Sequence, residues 1–119
     1  MSSGINIQLK KFDMSQIKDD KVVVLIGKRD TGKSFLVKDL LYYHQSIPIG
    51  TVVSGTESAN SFYSEIVPSL FIHDEFTPEL INNVVKRQKL IVNKTKEDIS
   101  KKGSTKIDPR AFLILDDCL

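Results

Sequence analysis

The chain has 119 residues, of which 40% are hydrophobic and 27% charged, and its formal net charge is +2. These values are ordinary for one small globular domain and exclude a collagen-like or wholly disordered chain. The single cysteine, Cys118, excludes an intrachain disulfide, and the longest apolar runs are far shorter than the ~20 residues that span a bilayer. We therefore expect a soluble intracellular protein without a signal peptide or membrane segment.

The first half of the chain alternates predicted strands with a predicted helix. Apolar residues alternate with polar ones over residues 5–9, which predicts a short half-buried strand. The continuous apolar run Val22–Ile26 predicts a strand that is covered on both faces, as in a parallel sheet. Apolar residues at helical spacing predict a helix from Ser34 to about His44.

The second half continues the same alternation. Short apolar runs predict strands at Thr51–Val53 and Leu70–Ile72, with a short helix over residues 58–67 between them. A threonine followed by proline and an acid predicts the start of a long helix, Thr77 to about Lys101. Ala111–Leu115 is the last predicted strand. Alternating strands and helices indicate an α/β fold with a mainly parallel sheet flanked by helices.

Residues 27–34 match in full the phosphate-binding pattern G-x-x-x-x-G-K-[ST], the P-loop or Walker A motif. They follow a buried-type strand and open an amphipathic helix, which is the context that the chemistry requires. Gly27 and Gly32 permit backbone conformations that turn amide groups toward phosphate oxygens. Lys33 is expected to reach the β- and γ-phosphates of ATP, and the Ser34 hydroxyl is expected to bind Mg²⁺. The predicted nucleotide-binding residues are Gly27, Lys28, Arg29, Asp30, Thr31, Gly32, Lys33 and Ser34.

The segment Phe112–Asp117 is an apolar strand that ends in two acids, as a Walker B motif does. Asp116 is predicted to hold Mg²⁺, and Asp117 to orient or deprotonate the attacking water. An Asp-Asp pair alone is more typical of a solvated turn, and the phosphate loop is what favours the metal site. Lys33 and Asp117 are therefore the predicted catalytic residues, and Ser34 and Asp116 the predicted metal ligands.

Charge is unevenly distributed along the chain. Residues 1–85 carry eight basic and ten acidic side chains, whereas residues 86–110 carry nine basic and three acidic ones. The basic block predicts either contact with a nucleic-acid backbone or a solvated helix face. It contains no aromatic residue, so base stacking is not expected. Its cations are Lys86, Arg87, Lys89, Lys94, Lys96, Lys101, Lys102, Lys106 and Arg110.

The remaining polar residues are weaker candidates for a functional site. His73, Asp74 and Glu75 follow a predicted strand, where active-site residues often lie in open α/β sheets, but a surface turn is the favoured interpretation. His44 at a helix end is interpreted as a favourable C-terminal charge. Cys118 is interpreted as a small buried side chain, because no base that would activate it is identifiable.

Four segments carry a resemblance to a known family: Ile26–Ser34, Thr51–Glu57, Phe71–Glu75 and Ile114–Leu119. Together they resemble the DNA-packaging ATPases of nucleocytoplasmic large DNA viruses, a poxvirus-type family in the FtsK–HerA group of P-loop NTPases. The first segment is specific only for P-loop proteins, and the family assignment depends on the other three. The resemblance implies an ATP-driven motor that translocates double-stranded DNA into a capsid.

The same resemblance implies the partners and the surroundings of the protein. Family members act as homo-oligomeric rings, with capsid or portal components as candidate partners, in the cytoplasmic viral factory of an infected cell or in the virion. Lys33 and Ser34 match the family's ATP and Mg²⁺ positions, and Asp116 matches its metal-binding acid. Asp117 stands where many relatives of the wider class have glutamate, which is one methylene longer.

The family pattern extends past the Walker B strand, through strands that carry a γ-phosphate sensor and an arginine finger. We therefore expect residues 1–119 to be the N-terminal part of one P-loop ATPase domain, truncated after that strand, with an incomplete sheet. Two other functions stay open. One is a nucleoside or nucleotide kinase, which shares the P-loop but needs an acceptor pocket and an arginine-bearing lid. The other is a fragment that binds nucleotide without hydrolysing it.

Overall fold

The computed structural model describes residues 4–28, 31–55 and 61–116, and the chain divides into two compact units, Met1–Gln45 and Ser46–Leu119. In the first unit a 3-10 turn at Met14–Gln16 precedes helix α1, Lys33–Tyr42. The elements of the second unit are β1 (Ile49–Ser54), a 3-10 turn (Ser69–Phe71), β2 (Ile72–His73), α2 (Pro78–Lys102) and β3 (Ala111–Asp116).

The second unit is built on a three-stranded parallel sheet with the order β2-β1-β3. Val52 in the central strand lies opposite Ile72 on one side and Ile114 on the other. The α/β class and the parallel sheet are therefore confirmed. The strands predicted at 51–53 and 111–115 are confirmed with slightly wider bounds, whereas the segment predicted as a strand at 70–72 is mostly a 3-10 turn that leads into the two-residue β2.

The core of the second unit lies on the central strand. Val52 and Val53 of β1 are fully buried, together with Tyr63 and Val67 from the segment that follows the strand. A strand with neighbours on both edges and cover on both faces favours β-branched apolar residues, and Val52 and Val53 supply them at the buried part of β1. Of the helix predicted over 58–67, the described part is helical at 61–63 and then turns, with the Ile66 and Val67 amides donating to the Tyr63 carbonyl.

Helix α2 begins and ends at the residues that its sequence indicates. The Thr77 hydroxyl accepts a hydrogen bond from the Leu80 amide at 3.1 Å, and proline follows as the first helical residue. Gly103 ends the helix at a φ of 78°, a left-handed conformation that glycine adopts without strain. A hydrogen bond of 2.9 Å from the Gln88 amide group to the Pro109 carbonyl joins α2 to the segment before β3.

The predictions of strands over residues 5–9 and Val22–Ile26 are wrong, because neither segment has regular secondary structure. Val22, Val24 and Ile26 are 91%, 74% and 93% exposed. A strand forms only where a neighbouring segment completes its backbone hydrogen bonds, and within residues 4–28, 31–55 and 61–116 no segment pairs with this run. An apolar run indicates a need for cover, but it does not identify the neighbour that supplies it.

Candidate functional site

The predicted phosphate loop lies in the first unit and closes on itself. The Lys33 ammonium group donates a hydrogen bond to the carbonyl oxygen of Gly27, the first residue of the motif. The Thr31 hydroxyl donates to the Lys28 carbonyl at 2.6 Å. A Cβ atom on Gly27 would lie 2.9 Å from the Thr31 hydroxyl oxygen, so a larger residue would disturb this closure. Arg29 and Asp30, also predicted to bind nucleotide, lie outside the described residues.

The loop passes directly into α1. Gly32 precedes the first helical residue with a φ of 88°, and as a glycine it has no side chain with which to cap the helix. The first amides of a helix have no intrahelical acceptor and form the positive end of its dipole. Lys33 and Ser34 are the first two residues of α1, and both side chains are partly buried. The structure therefore brings the second glycine, the lysine and the serine of the motif together at one helix N-terminus.

The predicted metal-binding acid lies in the second unit, at the carboxyl end of the sheet. Asp116 is the last residue of β3 and lies opposite Ser54, the last residue of β1. His73 ends β2 on the other side of β1, so three polar residues mark the same edge of the parallel sheet. The carboxyl edge is where open α/β sheets bind their ligands. Asp117, the predicted base, lies outside the described residues.

Sequence reasoning missed the residue that holds Asp116. The Tyr63 hydroxyl donates a hydrogen bond of 2.8 Å to Asp116 Oδ2, and the tyrosine is fully buried. Burial of the ring, and then the hydrogen bond to Asp116 and its negative charge, raise the pKa of the Tyr63 phenol well above its ordinary value. No local pattern could have indicated this pair, because the two residues are 53 positions apart. Its one general signal is that a buried tyrosine needs a hydrogen-bond partner.

Ser54 is the second residue that sequence reasoning missed. Its side chain is fully buried, and its hydroxyl has no hydrogen-bond partner among the described residues. A buried polar atom without a partner costs about 1–3 kcal/mol, so such atoms are uncommon. Ser54 ends β1, and its register partner Asp116 ends the adjacent strand β3.

The weaker candidates are spread over the two units. His73, Asp74 and Glu75 border a shallow polar depression at the start of α2, and the latter two are exposed at a bend, in agreement with a surface turn. In the first unit His44 follows α1, and its Nδ1 lies 2.6 Å from Asp19 Oδ1. Cys118 lies outside the described residues. Within the described ranges no three or more His, Cys, Asp or Glu side chains form a metal-binding group.

The basic block lies mostly on α2, and several of its cations have partners. Arg87 donates to the Gln88 side-chain oxygen and to the Thr51 hydroxyl, both at 3.4 Å. Lys94 and Lys101 pair with Asp98 and Glu97, four residues away on the same helix. Arg110 lies after the helix and makes hydrogen bonds to Asp108 and to the Ser46 carbonyl. The other lysines of the block are exposed and form no ion pair with any described residue: Lys86, Lys89, Lys96, Lys102 and Lys106.

Lys86, Lys89 and Lys96 share one face of α2. At 3.6 residues per turn they lie within about 80° of one another around the helix axis and extend over roughly 15 Å along it. Asn82 and Asn93 fall on the same strip, which is therefore polar as well as basic. We call these three lysines the α2 basic face. Within the described part of the chain, no helix combines the length and apolar character needed to cross a bilayer.

Comparison with known proteins identifies similar sequences. The chain is 42% identical to an uncharacterized protein of Acanthamoeba polyphaga mimivirus, over 94% of its own length and 39% of that relative. It is 44% identical to an uncharacterized protein of Invertebrate iridescent virus 6, over 99% of its own length and 46% of that relative. It is 39% identical to an uncharacterized protein of Frog virus 3, over 82% of its own length and 28% of that relative. These relatives are viral proteins.

The chain spans less than half the length of the curated relatives that it matches. No family model and no solved structure matches it.

Proposed function

We propose that this chain carries the nucleotide-binding part of a P-loop motor ATPase that packages viral double-stranded DNA. The observation that carries the proposal is the closure of the phosphate loop by Lys33 onto Gly27, with Gly32 at a positive φ at the start of α1. The viral relatives agree with the viral family that the sequence resembles, although their names state no activity. The packaging role itself comes from that resemblance.

The loop has the chemistry to bind a triphosphate. The Lys33 ammonium group is held across the loop by a neutral carbonyl, and a phosphate oxygen with its negative charge is a stronger acceptor for the same donor. Gly32 has no side chain to cap α1, and the amides at the start of this helix carry the positive end of the helix dipole. Binding would thus exchange one internal hydrogen bond for several charge-assisted ones. Ser34 would supply a hydroxyl to the Mg²⁺ that accompanies the phosphates.

Two acids are assigned to the proposed ATPase. Asp116 lies at the carboxyl end of β3, and Asp117 follows it in the sequence. We assign Asp116 to Mg²⁺ and Asp117 to the attacking water. When bound, the metal ion would offset negative charge on the transferring phosphoryl group.

The DNA contact of the proposed motor would be the α2 basic face. Its three lysines are exposed and are not neutralised by any described acid. Lysines on one strip of a helix can follow a phosphate backbone without reading the sequence of the bases, which suits a motor that must move along any DNA. The full motor would be a homo-oligomeric ring.

Thermal unfolding with and without Mg²⁺-ATP tests the nucleotide site. At about 100 times the dissociation constant, ATP should add about 2.7 kcal/mol to the free energy of unfolding. Lys33→Ala should abolish this gain, whereas Lys18→Ala, which removes an exposed lysine outside the loop, should keep it. If ATP does not stabilise the wild-type chain, the proposed function is wrong. ATP hydrolysis stimulated by double-stranded DNA would support the motor, whereas phosphoryl transfer to a nucleoside would support the kinase instead.

A further inference from the structure

Helix α2 has an apolar flank that is left exposed. Val85, Val92 and Ile99 are exposed and recur every seven residues along the helix. Residues seven apart are offset by only about 20° around the helix axis, so the three side chains form one stripe, roughly 20 Å long. A shallow groove of about 480 Å³ runs along this flank, with Val85 and Val92 among its lining residues.

The exposed flank of α2 is turned toward β3. Gln88 lines the same groove, and its amide group donates to the Pro109 carbonyl, just before β3. Arg87 lies about 100° around the helix axis from Gln88 and donates to the Thr51 hydroxyl of β1. The helix therefore lies over β1, with its apolar flank on the side of β3.

Strand β3 exposes two apolar side chains on the same face of the sheet. Leu113 and Leu115 lie opposite Thr51 and Val53 in register. Side chains alternate between the two faces along a strand, so register partners in a parallel pair share a face. Because the Thr51 side chain contacts α2, the two leucines are on the face that carries the helix.

Exposed apolar side chains from two elements therefore line two sides of one open space, above β3 and beside α2. Layers of α/β domains bury such surface by packing a helix against it. The stripe on α2 and the six residues of β3 are each roughly 20 Å long, which fits a helix of about four turns. We call this space the α2–β3 groove; its five apolar residues are 38% to 51% exposed: Val85, Val92, Ile99, Leu113 and Leu115.

The border of the α2–β3 groove indicates the charge of its occupant. Lys89 and Lys96 flank the stripe, and both are exposed and form no ion pair with any described residue. They are seven residues apart, so a helix lying along α2 would complement them with acids about two turns apart. A second copy of the described helices does not supply this pattern, because α2 has lysines at this border and the only acid in α1 is Asp39.

We propose that the α2–β3 groove binds an amphipathic helix of a partner protein that carries acidic residues along one border. The apolar side of that helix covers the exposed side chains, and its acids pair with Lys89 and Lys96. DNA alone would leave the apolar side chains exposed. The inference does not rest on the proposed function. Because both lysines also belong to the α2 basic face, the partner helix and DNA exclude one another there.

A designed peptide is the probe, because the chemistry of the partner is specified and its identity is not. The acidic peptide has about three heptads, with leucine at two positions of each heptad and glutamate beside them. The control peptide has lysine in place of every glutamate. Fluorescence anisotropy should show that the acidic peptide binds the wild-type chain at least about tenfold more tightly than the basic peptide.

Substitutions on both elements locate the bound peptide. Val92→Glu places a negative charge in the groove and should weaken binding of the acidic peptide about tenfold or more. Leu115→Thr, on β3, keeps a β-branched side chain and should weaken binding roughly fivefold. Leu90→Glu is the matched control, because Leu90 is an exposed apolar residue about 160° away from Val92 around α2. Melting temperatures show whether each variant is folded.

Reversal of charge tests the border of the groove separately. Lys89→Glu with Lys96→Glu should reverse the preference, so that the basic peptide binds more tightly than the acidic one. A gain in binding cannot arise from a variant that fails to fold. A double variant that still prefers the acidic peptide would overturn the inference.

Three other results would overturn it as well. The acidic peptide might fail to bind the wild-type chain, or Leu90→Glu might weaken its binding as much as Val92→Glu does. In the third, sedimentation velocity would show a wild-type dimer that Val92→Glu converts to a monomer, which would make a second copy the occupant. None of these measurements uses ATP, so the failure of this inference and the failure of the proposed function are distinguishable.

Discussion

The ring of Phe112 in β3 lies directly against Gly50, its register partner in β1. A Cβ atom at position 50 would lie 1.9 Å from the ring atoms, which is far inside contact distance. Glycine leaves space on the sheet, and the neighbouring aromatic side chain fills it. This contact joins β1 to β3 and thereby helps to place Asp116 beside Ser54.

Gly50→Ala should therefore destabilise the second unit. The added methyl group would displace the Phe112 ring, and overpacking of this kind costs about 1–3 kcal/mol. Denaturant unfolding gives the change in the free energy of unfolding. Gly50→Ala should cost less in a Phe112→Leu background than in the wild type, and equal costs in both would contradict the contact.

The positive φ of Gly32 gives a second prediction, for the first unit. Alanine at a left-handed position costs about 1–2 kcal/mol, although no atom lies within 4 Å of the Cβ it would add. Gly32→Ala should lower the melting temperature and weaken ATP binding, because the helix N-terminus must shift. Gly4→Ala, which adds a Cβ in equally open space without a positive φ, should change neither quantity. A Gly32→Ala protein with wild-type stability and ATP affinity would contradict the strained turn.

Tyr63 makes the stability of the fold sensitive to high pH. Its folded pKa is raised above the unfolded value of about 10, so the stabilisation is complete below pH 10 and is lost as the pH rises toward the folded pKa. In that range the unfolded chain releases the proton while the folded chain retains it. Chemical denaturation between pH 9 and 11 should show a decrease in the free energy of unfolding that is smaller in Tyr63→Phe. An equal decrease in both proteins would mean that the phenol is not held as described.

The α2 basic face predicts how DNA binding depends on salt. Each lysine that neutralises a phosphate contributes about 0.9 to the slope of log K against log salt. Lys86→Gln with Lys89→Gln should lower the magnitude of that slope by about 1.8 on random double-stranded DNA. The matched control, Lys94→Gln with Lys101→Gln, removes the same charge from lysines already paired with acids and should change the slope less. Equal slopes for the two double variants would favour the alternative of a solvated helix face.

Local signals were sufficient to predict several features of this protein. Thr77 and Gly103 cap the two ends of helix α2, and these ends could be predicted because capping and left-handed turns depend on neighbouring residues. The helix predicted from Ser34 begins one residue earlier, at Lys33, and its start could be predicted because residues 27–34 are contiguous in the chain. The apolar run at Thr51–Val53 predicted a strand, and the structure has it as part of β1.

The tertiary structure decided which segments meet. The apolar pattern of Val22–Ile26 predicted a buried strand. A strand needs a neighbouring strand for its backbone hydrogen bonds, and this segment has none among the described residues. The hydrogen bond between Tyr63 and Asp116 and the buried hydroxyl of Ser54 join parts of the chain that are far apart in sequence. Periodicity and propensity are properties of one segment, so they can be read from the sequence. Strand pairing and burial depend on contacts with other segments, and these are determined by the tertiary structure.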